Sequence, residues 1–300
     1  MTTGQTLLLT GADGFTGRHM EAAALALGYR VHRLAANLLD AIDVTREVAA
    51  VVPDCVIHLA AISAVTHADE LALYRVNVFG TQHLLDALAS TARAPSVVLI
   101  ASSANVYGNC TDSPISERQL PEPVNHYALS KLAAEGVARM FLQRLPITVI
   151  RPFNYTGVGH DLRFVIPKIV QAYQRRDPAI SLGNVLVERE YNDVRFVVDV
   201  YMQLLLAAQG AASGTTYNLC SGIAHSLQQV LKIMNEITGY APDVRVNQAL
   251  LRANEVQRLC GSTEKLHSVA SPRVKNDMRA LLTWMLDNDA APPPSVMQAA

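Results

Sequence analysis

Gln5-Thr-Leu-Leu-Leu-Thr10, followed at once by Gly11-Ala-Asp-Gly14-Phe-Thr-Gly17, decides the fold. The first six residues are a short apolar run of the kind a buried strand needs. The glycines open a tight turn, and Arg18 to Leu27 then reads as a helix. In that context a glycine motif has a physical use. Residues without a Cβ let backbone N–H groups approach a pyrophosphate at a helix N-terminus. The spacing is G-x-x-G-x-x-G rather than the commoner G-x-G-x-x-G. An ordinary Gly-rich turn is the competing reading, and the strand–turn–helix order favours a dinucleotide site.

Tyr29 to Leu34 reads as the next strand. Its end should carry an acid for an NAD ribose or an Arg for an NADP phosphate. Leu34-Ala35-Ala36-Asn37 offers neither, and Arg33 reads as a solvated strand residue, so the choice between NAD and NADP stays open. Asp43-Val44 precedes a helix expected from about Thr45; Asp43 could accept from an adenine amine or cap that helix. Val56 to Ala61 is a third buried strand, with His58 a packing residue and Ala60 and Ala61 leaving room for a ligand. Leu71 to Leu88 is helical, with Asn77 and Gly80-Thr81 embedded in it. A mid-helix Asn is unfavourable unless its side chain is used. Val97 to Ala101 is a fourth strand, and Ser102-Ser103 hang from its end.

The Ala-rich run 127–142 reads as a helix opened by Tyr127-Ala-Leu-Ser-Lys131. Its phenol and ammonium lie one turn apart, and a nearby positive charge should lower the phenol's pKa toward the working range. The glycine turn, the strand-end hydroxyls and the Tyr/Lys pair all fall at the carboxyl edge of one parallel sheet. The β–α alternation therefore points to an α/β, doubly wound, Rossmann-type fold.

Composition narrows the classes. Half of the residues are apolar, 17% are charged and the net charge is −1, which gives no electrostatic case for nucleic acid or an anionic membrane. No run is long enough to span a bilayer, and no basic-then-apolar leader opens the chain. Cys55, Cys110, Cys220 and Cys260 are dispersed without a C-x-x-C pair. The expectation is a reduced, cytoplasmic protein with no structural metal.

GADGFTG (11–17), HLAA (58–61), NVFGT (77–81), SSANVYG (102–108), YALSK (127–131) and RPFN (151–154) together resemble the extended short-chain dehydrogenases/reductases of the nucleotide-sugar epimerase/dehydratase type. The resemblance implies an NAD(P)-dependent oxidoreductase in which Ser103 bonds the sugar carbonyl, Tyr127 donates the proton, and Lys131 supports Tyr127 and the cofactor ribose. It also implies cofactor contacts from Gly11, Gly14, Phe15, Thr16, Gly17, Asp43, Val44, Leu59, Ala60, Ala61, Asn77 and Phe153. Family 4,6-dehydratases typically carry an acid two places after the hydroxyl residue. Here Ala104 and Asn105 follow Ser103, and Asn takes up no proton at neutral pH, which argues against dehydration.

The second half, from Phe164-Val-Ile-Pro167 through Arg189-Glu-Tyr-Asn-Asp193, Tyr217-Asn-Leu-Cys-Ser221-Gly222 and Arg252-Ala-Asn-Glu255, is similar to the GDP-4-dehydro-6-deoxy-D-mannose reductases, which make GDP-D-rhamnose. That likeness assigns substrate contacts to Ser103, Ala104, Asn105, Asn154, Phe164, Val165, Lys168, Arg189, Arg252 and Glu255. Arg189 and Arg252 suit a diphosphate, and Glu255 suits ribose hydroxyls. The chain departs from the pattern at Arg163 (usually Gly), His126 (usually Pro) and Glu190-Tyr191 (usually Asp-Phe). His126 could join a proton path or simply begin a helix.

The expected organisation is a dinucleotide-binding domain of residues 1–154 plus about 194–216, and a substrate domain of about 155–193 plus 217–286. A flexible Pro/Ala-rich tail covers 287–300. Residues 194–209 read as a strand followed by a helix. The small-residue helices 71–89 and 127–142 form a homodimer interface by resemblance, or face their own sheet. Three functions are compatible: reduction of a GDP-4-dehydro-6-deoxy-hexose by NADPH or NADH, 4-epimerisation of a UDP-sugar with tightly bound NAD, and non-catalytic dinucleotide sensing.

Overall fold

The computed structural model describes residues 4–63, 69–209, 213–250 and 256–288. Arg252, Glu255 and residues 289–300 of the expected tail lie outside the described residues.

The first half alternates strands and helices. β1 (Thr6–Thr10), α1 (Phe15–Ala26), β2 (Arg30–Arg33), α2 (Ala41–Val51) and β3 (Cys55–His58) lead into one long helical stretch. That stretch consists of α3 (Glu70–Tyr74), a π-helical segment (Arg75–Gly80) and α4 (Thr81–Ala89). β4 (Val98–Ala101), α5 (His126–Met140) and β5 (Ile147–Pro152) follow. The second half contains β6 (Tyr155–Thr156), α6 (Val165–Arg175), β7 (Ala179–Leu182), β8 (Glu188–Arg189), β9 (Asn192–Asp193) and α7 (Val194–Ala207). After it come β10 (Thr215–Leu219), β11 (His225–Ser226), α8 (Leu227–Thr238), β12 (Asp243–Val246), β13 (Arg258–Leu259), α9 (Glu264–His267) and α10 (Met278–Asp287).

Six strands form one sheet in the order β10-β5-β4-β3-β1-β2, and every neighbouring pair is parallel. Successive side chains of β1 serve opposite faces, as the two-residue period requires. Leu7 and Leu9 join the core under α1 and α7, while Leu8 joins the core under α2, α4 and α5. The doubly wound α/β expectation therefore holds. A third core joins α6, α8 and α10 to β7.

Several expectations are corrected. α1 begins at Phe15 rather than Arg18, so Gly17 lies inside its first turn. α2 begins at Ala41, and Asp40, not Asp43, caps it by accepting from the amides of Ile42 (3.1 Å) and Asp43 (3.0 Å). Residues 194–207 are helix throughout. Their Val-rich run looks strand-like because ten of the fourteen α7 residues are buried, which erases an amphipathic period. β10 carries the sheet to Leu219, beyond the expected boundary at 216. Leu266 and Ala270 pack into the sheet core, so the chain returns to it after the substrate elements. Among the described residues no helix is long and apolar enough to cross a membrane, and all four cysteines are free.

Candidate active site

A cavity of about 390 Å³ opens at the carboxyl edge of the sheet. Its floor is the glycine turn. Gly11 has φ +70°, and a Cβ there would stand 2.8 Å from the Ala60 amide nitrogen. A Cβ on Gly17 would stand 2.1 Å from the Gly11 carbonyl oxygen. These positions accept only glycine, because β1, β3 and α1 converge there. No acidic residue stands in the first turn of α1, and its N-cap Gly14 has no side chain to occupy the helix amides. That is the shape and charge a pyrophosphate fits, so the chain's own residues suit a dinucleotide.

Ser103 stands two residues past the end of β4. Its Oγ accepts from the Asn105 amide (3.2 Å) and from Asn105 Nδ2 (3.1 Å). The Tyr127 phenol and the Ser103 hydroxyl line the same cavity, and the Ser103 hydroxyl favours the phenolate. Both side chains are buried, as is Lys131. Asn125 caps α5 by accepting from the Ala128 amide (2.8 Å), which fixes where Tyr127 enters the cavity.

The ionisation of this pair differs from the sequence expectation. Burial pushes the Tyr127 phenol up to about 12, and the neighbouring Ser103 hydroxyl pulls only partly the other way. Burial pushes Lys131 down to about 8, with Glu135 opposing that fall. The reason is geometric: the Lys131 ammonium donates to the Ala101 carbonyl at 2.7 Å. Desolvation of the phenol outweighs help from a cation held against the strand end.

The sequence profile of the NAD dependent epimerase/dehydratase family matches residues 7–220. The chain belongs to that family. A GDP-6-deoxy-D-talose 4-dehydrogenase of Aggregatibacter actinomycetemcomitans is 30% identical, over 94% of this chain and 97% of its own. A GDP-6-deoxy-D-mannose reductase of Pseudomonas aeruginosa is 31% identical, over 93% of this chain and 96% of its own. The solved structure of Pseudomonas aeruginosa RMD complexed with NADPH superposes with a TM-score of 0.85 at 28% identity, over 95% of this chain and 97% of that one. The chain is thus an NAD(P)-dependent oxidoreductase of the extended short-chain type.

Most expected family positions meet at the cavity. Gly11, Gly14, Phe15, Thr16, Gly17, Leu59 and Ala61 line it around the glycine turn. Ser103, Ala104, Asn105, Tyr127, Lys131, Phe153, Asn154 and Phe164 line the rest. Others stand apart. Ala60 packs beneath Gly11. Asn77 is buried as a clamp, bonding both the amide and carbonyl of Ile62 (2.8 and 3.2 Å) and Ser130 Oγ (3.0 Å). Asp43 pairs with Arg46 on the surface, and Val44 points into the core under α2. Val165 packs with the third core. Lys168 donates to the Ser181 carbonyl (2.7 Å), and Arg189 to the Glu188 carbonyl (2.8 Å).

His58 is the packing residue expected, held by Thr10 (2.7 Å) and Thr81 (2.9 Å) and pushed by burial to about 3. His126 opens α5 and faces α3, bonding the Tyr74 hydroxyl (2.9 Å) and pairing with Glu70 (3.1 Å). Arg33 is not simply solvated: it pairs with Glu21 and Asp13. Glu47 takes the amides of Ala35 and Ala36 (2.9 and 2.7 Å).

Sequence reading missed an aromatic wall. His160 stacks on Phe15 (4.4 Å between centroids) and on Phe164 (4.1 Å), linking the glycine turn to the start of α6. Burial holds its imidazole down near 4, so the ring is neutral. The Tyr155 hydroxyl bonds Thr16 Oγ1 at 2.8 Å. Arg163, which pairs with Asp161 (3.0 Å), also lines the cavity. No short motif marks these residues, because their meaning lies in contacts across the sequence.

Proposed function

We propose that the chain reduces the C4 ketone of a GDP-4-dehydro-6-deoxy-hexose, with GDP-4-dehydro-6-deoxy-D-mannose the substrate and GDP-D-rhamnose the product. The observation that carries this is that Ser103, Tyr127 and Lys131 are buried together in one cavity with Asn105, not a carboxylate, bonded to Ser103. Two relatives matched over nearly their whole length are named for GDP-6-deoxy sugars, one of them for redox at position 4.

NAD(P)H, when bound, supplies the hydride. The chain does the rest. Ser103 polarises the carbonyl by donating to its oxygen. Tyr127 holds its proton until negative charge develops on that oxygen, then delivers it, so ketone, hydride and proton balance to an alcohol. Lys131 keeps a positive charge beside the site. The glycine turn and α1 hold the pyrophosphate, Phe15, Thr16, Leu59 and Ala61 line the cofactor side, and Asn154 and Phe164 border the sugar side. Arg252, Glu255 and Arg189 remain candidates for the nucleotide half. Asn105 has no proton to exchange at C5, so dehydration does not compete.

The test is incubation with GDP-4-dehydro-6-deoxy-D-mannose and NADPH or NADH, following absorbance and product. Wild type should oxidise the cofactor stoichiometrically with product. Tyr127→Phe should lose about 10²- to 10⁴-fold in kcat while still binding cofactor. No reduction by wild type, or unchanged turnover in the variant, defeats the proposal. Purified protein carrying stoichiometric NAD and interconverting UDP-sugars at C4 would establish the epimerase reading instead.

We infer that the working form is a homodimer. Leu71, Phe79, Leu129 and Met140 are exposed at 65, 53, 44 and 75% along α3–α5. A second copy presenting the same helices would bury them as a helix bundle.

A further inference from the structure

Glu135 lies one turn beyond Lys131 on α5, and its carboxylate is almost fully enclosed. It accepts from Ser102 Oγ (2.5 Å) and from Arg151 twice, Nε to Oε1 (2.9 Å) and Nη2 to Oε2 (2.7 Å). Arg151, near the end of β5, also donates to the Tyr107 hydroxyl (3.0 Å) and stands 4.9 Å from that ring's centroid. A buried ion pair is weak evidence for stability, since desolvation offsets the attraction. Its placement here suggests another use. Ser102 sits between Ala101, whose carbonyl receives the Lys131 ammonium, and Ser103, which lines the cavity with Tyr127. One carboxylate therefore ties α5, the end of β4 and the end of β5 at the point where all three meet the cavity.

We propose that Glu135 is a positioning residue: braced by Arg151, it pins Ser102 and holds the buried Lys131 charged, and so sets the pH above which the site fails. This rests on the reading of Ser103, Tyr127 and Lys131 as the ketone-reducing set. The groups around it are accounted for. On α5 they are Lys131, Tyr127 and the exposed Arg139, 3.9 Å away. From β5 comes Arg151, and from the turn after β4 Tyr107, which also feels Glu117. From β3 comes neutral His58, itself coupled to Lys131. Glu135 is the carboxylate whose charge favours the Lys131 ammonium.

The test compares wild type, Glu135→Gln, Glu135→Asp and Glu135→Gln/Arg151→Gln from pH 6 to 10, by NADPH binding (cofactor fluorescence) and by kcat/KM for ketone reduction. In Glu135→Gln both alkaline limbs should move down by about one pH unit, a tenfold change in the proton affinity of Lys131. Glu135→Asp should keep the wild-type limb. The double variant removes the Arg151 charge together with its carboxylate partner, so it should recover thermal stability relative to Glu135→Gln while its limb stays below wild type. It gives the same comparison if Glu135→Gln alone does not fold. A uniform loss at every pH with the limb in place, or a limb restored in the double variant, overturns the proposal and leaves Glu135 a packing residue. If wild type reduces no ketone, the substrate reading fails by itself, and the NADPH-binding limb still decides the role of Glu135.

Discussion

Gly17→Ala should cripple cofactor binding, and the size of the loss follows from the turn. The new Cβ would stand 2.1 Å from the Gly11 oxygen, 2.6 Å from Ala12 Cα and 2.7 Å from the Ala12 oxygen, all backbone atoms with no rotamer to yield. Restoring ordinary contact requires the turn to open by more than ~1 Å. A phosphate–amide bond of about 2.9 Å lengthened that much is no longer a bond. Losing one or two charge-assisted bonds of about 1.5–3 kcal/mol each costs roughly 1.5–6 kcal/mol, or about 10- to 10⁴-fold in Kd. Gly14→Ala is the graded control, because its Cβ would meet only the Gly11 oxygen, at 3.2 Å. The assay is fluorescence titration with NADPH and with NADH, with circular dichroism to establish that each variant is folded. A Gly17→Ala protein that binds either cofactor within threefold of wild type, or a Gly14→Ala protein that binds worse than Gly17→Ala, would refute the reasoning.

Lys131 should leave a signature in stability against pH. Its folded value of about 8 lies below the usual 10.5, so between those values the unfolded chain holds more protons and stability rises with pH. The contribution is at most about 3 kcal/mol, and thermal melts of Lys131→Met should lack that rise relative to wild type. Tyr127 acts with the opposite sign. Its folded value of about 12 lies above the usual 10, so stability falls between them, and Tyr127→Phe melts should lack the fall. Tyr201→Phe should be neutral or stabilising by up to about 1 kcal/mol, because its buried hydroxyl finds no partner among the described residues; a clear drop in Tm would show that something uses that hydroxyl. Phe79→Glu and Leu129→Glu should each shift the protein to monomer in analytical ultracentrifugation, and a monomeric wild type would dispose of the dimer proposal.

The legible parts of this chain are those where chemistry and spacing are local. Gly11, Gly14 and Gly17 announce a turn that other residues cannot make at positions 11 and 17. Ser103 and the Tyr127/Lys131 pair sit at the ends of elements whose periods are plain. What stayed hidden depends on packing. Asp43 is a sensible cap on paper, and only the point where α2 leaves the loop gives that role to Asp40. The Val-rich start of α7 has no helical stripe because it is buried on nearly every side. Asn77, expected at the cofactor, is spent on the Ile62 loop and Ser130. Glu135 reads as an ordinary helix acid until Arg151, sixteen residues later, is folded onto it.

The reversal at Tyr127 bears on reaction direction. Sequence spacing predicts a phenol biased toward phenolate by Lys131, the form that would abstract a proton from an alcohol. The structure instead desolvates the phenol and turns the ammonium toward Ala101, so the bare site holds Tyr127 protonated across the working pH range. A reduced nicotinamide ring is uncharged and leaves that bias in place, whereas an oxidised ring carries a positive charge that would oppose it. Ketone reduction consumes the protonated phenol, the state the fold already favours. An epimerase must pass through both directions within one turnover and would have to overcome the same desolvation each time it oxidised the sugar. The proposed direction is therefore testable at Tyr127: proton delivery to the ketone should fail only as the phenol itself loses its proton at high pH, and a site that oxidises the alcohol as readily as it reduces the ketone at pH 7 would contradict it.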